Sequence, residues 1–193
     1  MARTSLGILE RACRDRDFES WQRLMKIYGP FLRDWLLGQG VRPADADEIA
    51  QDVLIEAAKR IGTFRRDGRE AFRAWLRRLL LNRVQRFVRT RSTAGNGDGA
   101  FPAELLRLGD SDGDLSRLWD DEHDAHVTRA LAELVRERVP EPTWQAFRLT
   151  VLDGESVDAA AAHLGMSPNA VCAARSRFLH DLRREGRGLL DLP

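Results

Sequence analysis

The stretch Val157-Asp-Ala-Ala-Ala-Ala-His-Leu-Gly-Met-Ser-Pro-Asn-Ala-Val171 leaves few folds open to the C-terminal part of this chain. Val157, Ala160, Ala161 and Leu164 recur at helical spacing, and the small Ala161 admits a close neighbouring helix. Gly165 can take the left-handed conformation that ends a helix without a side-chain penalty. Ser167 can cap a following helix, and Pro168 suits its first position, where no backbone donor is needed. Val171, Ala174, Phe178 and Leu182 then give that second helix an inward stripe. The pattern predicts a helix-turn-helix, whose second helix can enter a DNA major groove.

Alternation of apolar and polar residues is absent elsewhere, and apolar residues return every third or fourth position. The expectation is therefore all-α: two small helical domains joined by a flexible linker, the C-terminal one a helix-turn-helix. Residues 1–91 form the first domain, with helices at about 5–14, 18–39, 43–62 and 69–91, and Pro30 kinking or splitting the second. Residues 92–120 read as an acidic, flexible linker, because Ser92-Thr-Ala-Gly-Asn-Gly-Asp-Gly and Gly109-Asp-Ser-Asp-Gly-Asp are too polar and glycine-rich to pack. Phe101, Leu105, Leu106 and Leu108 allow one short helical turn between them. Residues 121–193 form the second domain, with helices near 121–138, 141–153, 157–164 and 167–185.

No apolar run nears the roughly 20 residues of a membrane span, and the N-terminus lacks a signal-peptide pattern, so a cytoplasmic protein without membrane insertion is expected. Cys13 and Cys172 are too few and too distant for a disulfide framework or a cysteine zinc motif. Cys172 reads either as an oxidation sensor or as a tolerated small residue. His123 and His126 stand at i, i+3 beside Asp120, Asp121 and Glu122, but no third fixed ligand is identifiable. A solvated helix start is expected there, with no metal and no cofactor. No nucleophile–base pair or glycine-rich phosphate loop is present, so no catalytic residue is assigned.

The net charge of +1 conceals segregation. The charges from Asp45 to Glu56 are all acidic (Asp45, Asp47, Glu48, Asp52 and Glu56), and Asp45, Glu48, Asp52 and Glu56 form a stripe on another face of the third helix from Ile49, Ala50, Val53, Leu54, Ala57 and Ile61. Ile55 and Gln51 lie beside that stripe on a face that should be wet, which suits docking against a basic partner helix. The plain alternative is an ordinary solvated face. The fourth helix buries Phe72, Trp75, Leu76, Leu79, Leu80 and Phe87, and sends Arg78, Asn82, Gln85, Arg86 and Arg89 to another side. Arginines attract phosphates irrespective of sequence, while Asn82 and Gln85 can contact bases. The preceding Phe64, Arg65 and Arg66 supply a ring able to stack on an unpaired base and two cations. Trp75 could stack likewise, or belong to the core.

On the last helix Asn169, Ala173, Ser176, Arg177 and His180 point away from the apolar stripe, with Arg183, Arg184 and Arg187 beyond them. Asn169 and Arg177 are candidates for base edges, and the terminal arginines for phosphates.

Taken together, these segments resemble bacterial RNA polymerase sigma factors of the sigma-70 family, specifically the small two-domain extracytoplasmic-function group. Ala44-Asp-Ala-Asp-Glu-Ile-Ala-Gln-Asp-Val-Leu-Ile-Glu56 is similar to the family's core-binding helix. Phe72-Arg-Ala-Trp-Leu-Arg-Arg-Leu-Leu-Leu-Asn-Arg-Val-Gln-Arg-Phe-Val-Arg-Thr-Arg91 is similar to the promoter-melting, −10-reading helix. The segment from Trp144 through the helix-turn-helix resembles the −35-reading domain. The resemblance implies a non-enzymatic subunit whose partners are promoter DNA and core RNA polymerase, through the β′ clamp helices and the β flap. An anti-sigma protein is a further partner it allows. It implies core contacts at Asp47, Glu48, Gln51, Asp52 and Ile55. For the −10 element it implies Phe64, Arg65, Arg66, Arg78, Asn82, Gln85, Arg86 and Arg89. For the −35 element it implies Ser167, Asn169, Ala173, Ser176, Arg177, His180, Arg183 and Arg184. The linker would thread the polymerase's RNA path. The competing expectation is a freestanding helix-turn-helix regulator that binds duplex DNA without polymerase. The sigma reading requires an acidic ridge on the surface and arginines not neutralised from within.

Overall fold

A computed structural model of the chain describes residues 7–14, 17–64, 71–93, 101–110 and 113–190. Eight α-helices occur among them: α1 (Ile8–Arg14), α2 (Phe18–Gly38), α3 (Pro43–Arg60), α4 (Ala71–Thr93), α5 (Asp114–Arg136), α6 (Glu141–Phe147), α7 (Val157–Leu164) and α8 (Pro168–Glu185). Single 3₁₀ segments cover Ile61–Thr63 and Ala103–Gly109, and a π-helical turn covers Arg148–Leu152. No β-strand occurs among the described residues.

The helices start and stop where local chemistry directs. Asp17 caps α2, its carboxylate accepting from the backbone N–H groups of Glu19 and Ser20. Pro43 occupies the first turn of α3. Pro30 does not split α2. It is itself exposed, while Ile27, Tyr28, Phe31 and Leu32 around it are all buried, and their packing holds the helix through the missing hydrogen bond.

The four-helix N-terminal part buries the expected stripes in one cluster: Leu24, Leu32, Trp35 and Leu36 of α2, Ile49, Val53 and Ala57 of α3, and Leu76 and Leu80 of α4. The segment 92–120 contains the short helical turn allowed for it, but that turn is packed rather than part of a flexible tether. Residues 92–93 end α4, Leu105 and Leu108 of the 3₁₀ segment are buried, and α5 begins at Asp114 rather than near residue 121. Phe101 lies against Phe87 of α4, ring centroids 5.7 Å apart. Residues 94–100 and 111–112 lie outside the described residues.

Helix α5 carries the stripe Ser116, Trp119, His123, Val127, Leu131 and Val135, every member buried. Its first half packs on α2, where Trp119 meets Phe31 and Trp35 edge-on at 4.8 and 5.0 Å. The same helix also packs on α8. A single apolar cluster thus runs from Ile8 through α5 to Phe178, Leu182 and Leu190. A smaller cluster of Ala146, Leu149, Ala160, Ala161, Val171 and Ala174 seats α7 against α6 and α8.

Polar clasps join the same elements. Glu185, 2% exposed, takes Arg11 at 2.9 Å and Arg138 at 3.0 Å, with Arg184 beside it at 3.5 Å. The expectation of a solvated helix start at His123 and His126 is corrected here. His123 is fully buried: its Nε2 faces the Tyr28 hydroxyl at 3.0 Å and its Nδ1 faces Asp124 at 2.9 Å. His126 Nε2 meets the Ile27 carbonyl oxygen at 2.8 Å. Both serve packing between α5 and α2.

Candidate nucleic-acid and polymerase interface

The acidic side of α3 lies on the surface, but much of it is ion-paired. Asp47 pairs with Arg33 at 2.6 Å, Glu48 with Arg83 at 3.0 Å, and Asp52 with the same Arg83. Glu56 pairs with Arg60 one turn on. The side chains of Asp47 and Glu48 keep 58% and 57% of their exposure, so they can still meet a partner. Gln51 is exposed and Ile55 stands 44% exposed between them, an apolar side chain inside a charged ring. Pairs of this kind at a surface contribute about 0–1 kcal/mol, so a partner cation can replace Arg33 or Arg83 at little penalty.

Helix α4 divides its arginines: Arg73, Arg77, Arg83 and Arg91 are neutralised by carboxylates of the chain itself, so the requirement of arginines not neutralised from within is met only by others such as Arg78 and Arg86. Arg78 and Arg86 are exposed and their side chains have no partner among the described residues. Asn82 is exposed beside them, Gln85 is half-buried, and the exposed Arg89 donates to the Gln85 carbonyl at 3.3 Å. Arg83 turns the other way, onto Glu48 and Asp52 of α3, and knits the two helices together. Between α3 and α4 lies an open groove of about 400 Å³, with Asp52, Ile55 and Glu56 on one wall and Asn82, Arg83 and Arg86 on the other. Of the α3 and α4 candidates, Asp52, Ile55, Asn82 and Arg86 therefore meet at one groove.

Phe64 is half-buried and seated on Phe72 and Trp75, with centroids 5.6 and 5.2 Å away. Phe72 is 3% exposed, whereas Trp75 is half-buried in the same aromatic group. Stacking of Phe64 on an unpaired base would require it to leave these rings. Arg65 and Arg66 lie outside the described residues.

In the C-terminal part Gly165 has φ +62°, and Ser167 accepts from the Ala170 N–H at 3.2 Å. The turn 165–167 thereby sets α8 across α7 with Val171, Ala174, Phe178 and Leu182 inward. The cap uses the Ser167 hydroxyl as acceptor, which leaves its proton for another partner. Asn169, Ala173, Ser176, Arg177, His180 and Arg183 are exposed along one side. Arg177 has no side-chain partner among the described residues, and His180 lies 3.7 Å from Asp181. Arg184 differs from its neighbours. It is half-buried, pairs with Asp181 at 3.0 Å, and its Nε is buried without a hydrogen bond.

Residues missed by the sequence reading are Arg73, Arg77 and Arg83 on α4 with their acidic partners. Arg73 meets Asp120 at 3.0 Å and Asp124 at 2.8 Å, and Arg77 meets Asp120 at 3.4 Å. The matching i, i+4 spacing of both pairs was the available signal, but it links helices that nothing in one dimension places together.

No group of three or more His, Cys, Asp or Glu side chains arranged to hold a metal occurs among the described residues. None of the described helices is long and apolar enough to cross a membrane. Cys13 is half-buried, and burial with the nearby Glu10 charge pushes its thiol up to about 11, which makes it a poor nucleophile.

Residues 24–93 match the family model of sigma-70 region 2. The match begins inside α2 and takes in all of α3 and α4, the two helices that border the groove. It supports a sigma-70 family member through that one region, a domain that serves promoter melting and polymerase binding at the level of the family. A search among curated proteins found no match.

Proposed function

We propose that this chain is a sigma factor of the small two-domain, extracytoplasmic-function type, which directs core RNA polymerase to promoters in the cytoplasm and helps open the DNA, without catalysis of its own. The observation that carries the proposal is the groove between α3 and α4, inside the span that matches sigma-70 region 2. One wall offers Ile55 amid carboxylates to a basic protein helix; the other offers Arg86 and Asn82 to nucleic acid. Contact with the β′ clamp helices is assigned to Asp47, Glu48, Gln51, Asp52 and Ile55. Contact with −10 DNA is assigned first to Arg78, Asn82, Gln85, Arg86 and Arg89.

The capped turn before α8 supports a helix-turn-helix that reads the −35 element through Asn169, Ser176 and Arg177, with Arg183 on phosphate. Arg184 holds the helix end to Asp181 and Glu185 and contributes to DNA only if that cluster opens.

The test is reconstitution: purified chain mixed with core polymerase, followed by gel filtration and run-off transcription from candidate promoters. Co-elution and promoter-dependent transcripts are expected. Tight duplex binding with no core association would assign the chain to the freestanding regulators instead.

A further inference from the structure

Four of the α4 arginines already hold carboxylates among the described residues, two of them across the junction with α5. Arg73 and Arg77 are 11% and 15% exposed, and both reach carboxylates of α5. Asp120 bridges them, at 3.0 Å to Arg73 Nε and 3.4 Å to Arg77 Nη1, and Asp124 adds 2.8 Å to Arg73 Nη1. Asp120 and Asp124 stand one turn apart on α5, a rise of about 6 Å, and face guanidinium groups one turn apart on α4. Both guanidinium groups nevertheless converge on one carboxylate oxygen of Asp120, an arrangement that can equally hold a single phosphate oxygen. The arginines of the outer side, Arg78 and Arg86, lack any such partner among the described residues. The α4 basic surface is therefore continuous in sequence and interrupted in space by α5.

We propose that Arg73 and Arg77 form a second phosphate-binding pair on α4, occupied in the free chain by Asp120 and Asp124 of α5, which DNA must displace. The inference rests on the reading of α4 as a DNA-binding helix. Physically, the exchange replaces carboxylate by phosphate on the same guanidinium groups, and Arg suits both equally. The barrier is the apolar seat of the same α5 turn, where Trp119 lies buried against Phe31 and Trp35. The free chain is held closed by that seat, and its affinity for DNA is lowered accordingly.

The experiment uses the full chain and a labelled single-stranded oligonucleotide, with affinity read by fluorescence anisotropy across a salt series. Asp120→Asn removes the carboxylate shared by both arginines; it is expected to bind about fivefold tighter with a steeper salt dependence, as added phosphate contacts require. Asp120→Glu should bind like the parent, and Arg77→Ala within Asp120→Asn should cancel the gain. In the unaltered chain, amide hydrogen exchange over α5 should accelerate when the oligonucleotide is added. Unchanged affinity in a folded Asp120→Asn chain, or α5 amides that stay protected with DNA bound, overturns the proposal. The exchange measurement stands even where the substitution impairs folding. Core association and run-off transcription of the unaltered chain report separately on the sigma-factor reading, so either can fail alone.

Discussion

The Tyr28 hydroxyl meets Nε2 of His123 at 3.0 Å, joining α2 to α5 across 95 positions of sequence. His123 Nδ1 donates to Asp124 at 2.9 Å, which leaves Nε2 to accept the tyrosine proton. A doubly protonated ring would place a positive charge in this buried site, near Arg73. Burial holds the His123 pKa below its ordinary 6.5, although the Asp124 hydrogen bond works the other way, and Arg73 lowers it further. Tyr28, itself fully buried, is held well above its usual range and stays neutral.

Stability should consequently fall as pH drops. Between 6.5 and the lowered His123 value the unfolded chain binds more protons than the folded one, so acid favours unfolding in that window. Asp124 acts in the same sense lower down: burial works to raise it, yet hydrogen bonds from His123 and Arg73 leave it below 3.8. Its contribution is present above 3.8 and disappears as pH falls through the lowered value. Thermal midpoints recorded at successive pH values should decline below 6.5 in the parent and be flatter in His123→Gln. An equal slope in both chains would show that another group titrates.

Trp119 is fully buried, and its indole N–H has no hydrogen-bond partner among the described residues. Trp119→Phe removes an unsatisfied donor together with some volume, and should destabilise by less than about 1.5 kcal/mol. Trp119→Ala empties the seat between Phe31 and Trp35 and should remove about 3–5 kcal/mol. Urea denaturation of the two variants separates shape from hydrogen bonding; a severe phenylalanine effect would reveal a partner for the indole.

Glu185→Ala would leave Arg11, Arg138 and Arg184 facing one another around a buried vacancy. Their side chains are 24%, 36% and 28% exposed, so water relieves part of the repulsion. A loss of about 3 kcal/mol is expected, at the lower end for a broken buried pair. Denaturant titration against Arg138→Ala, which should be milder, checks it.

At Gly165 an added Cβ would meet nothing within 4 Å, yet φ is +62°. Gly165→Ala should therefore lose only the backbone term, about 1–2 kcal/mol, and Gly165→Asn less. Differential scanning calorimetry would expose any further loss, which would point to a contact that the open surroundings of this residue do not contain.

For polymerase docking, Ile55 is a cleaner probe than its neighbours. Glu48 and Asp52 hold Arg83, so reversing them to lysine disturbs the α3–α4 junction as well as any partner. Ile55→Glu touches no ion pair. It should leave the thermal midpoint nearly unchanged and weaken core association by about tenfold, as loss of an apolar interface anchor does. Undiminished association would remove Ile55 from the docking face.

Helix positions in the N-terminal part were readable because their apolar spacing is unambiguous: Ile49, Ala50, Val53, Leu54 and Ala57 are all buried, as their period requires. The turn before α8 was readable from Gly165, Ser167 and Pro168, each of which has one strong conformational preference. The start of α5 was not. Its inward stripe begins with Ser116 and includes His123, while Asp120, Asp121, Glu122 and Asp124 crowd the remaining faces, so the local signal is that of a wet helix. The turn carrying Leu105 and Leu108 was readable, but not their burial, since the polar residues on either side dominate the composition. Ion pairs such as Arg83 with Glu48, or Arg73 with Asp124, join separate helices and leave no trace in the periodicity of either. Thus the sequence shows the residue types of the candidate site, whereas which arginines stand open is decided by packing.

The contact between Arg11 and Glu185 spans 174 positions. A chain emerging from the ribosome can coil α1 to α4 early, but α1 waits for its last neighbour until α8 has been made. Closing so long a loop is entropically slow, and the unfilled seats on α1 and α2 are exposed to the cell meanwhile. Chaperone demand and proteolysis should accordingly concentrate on the nascent and truncated forms rather than on the finished molecule.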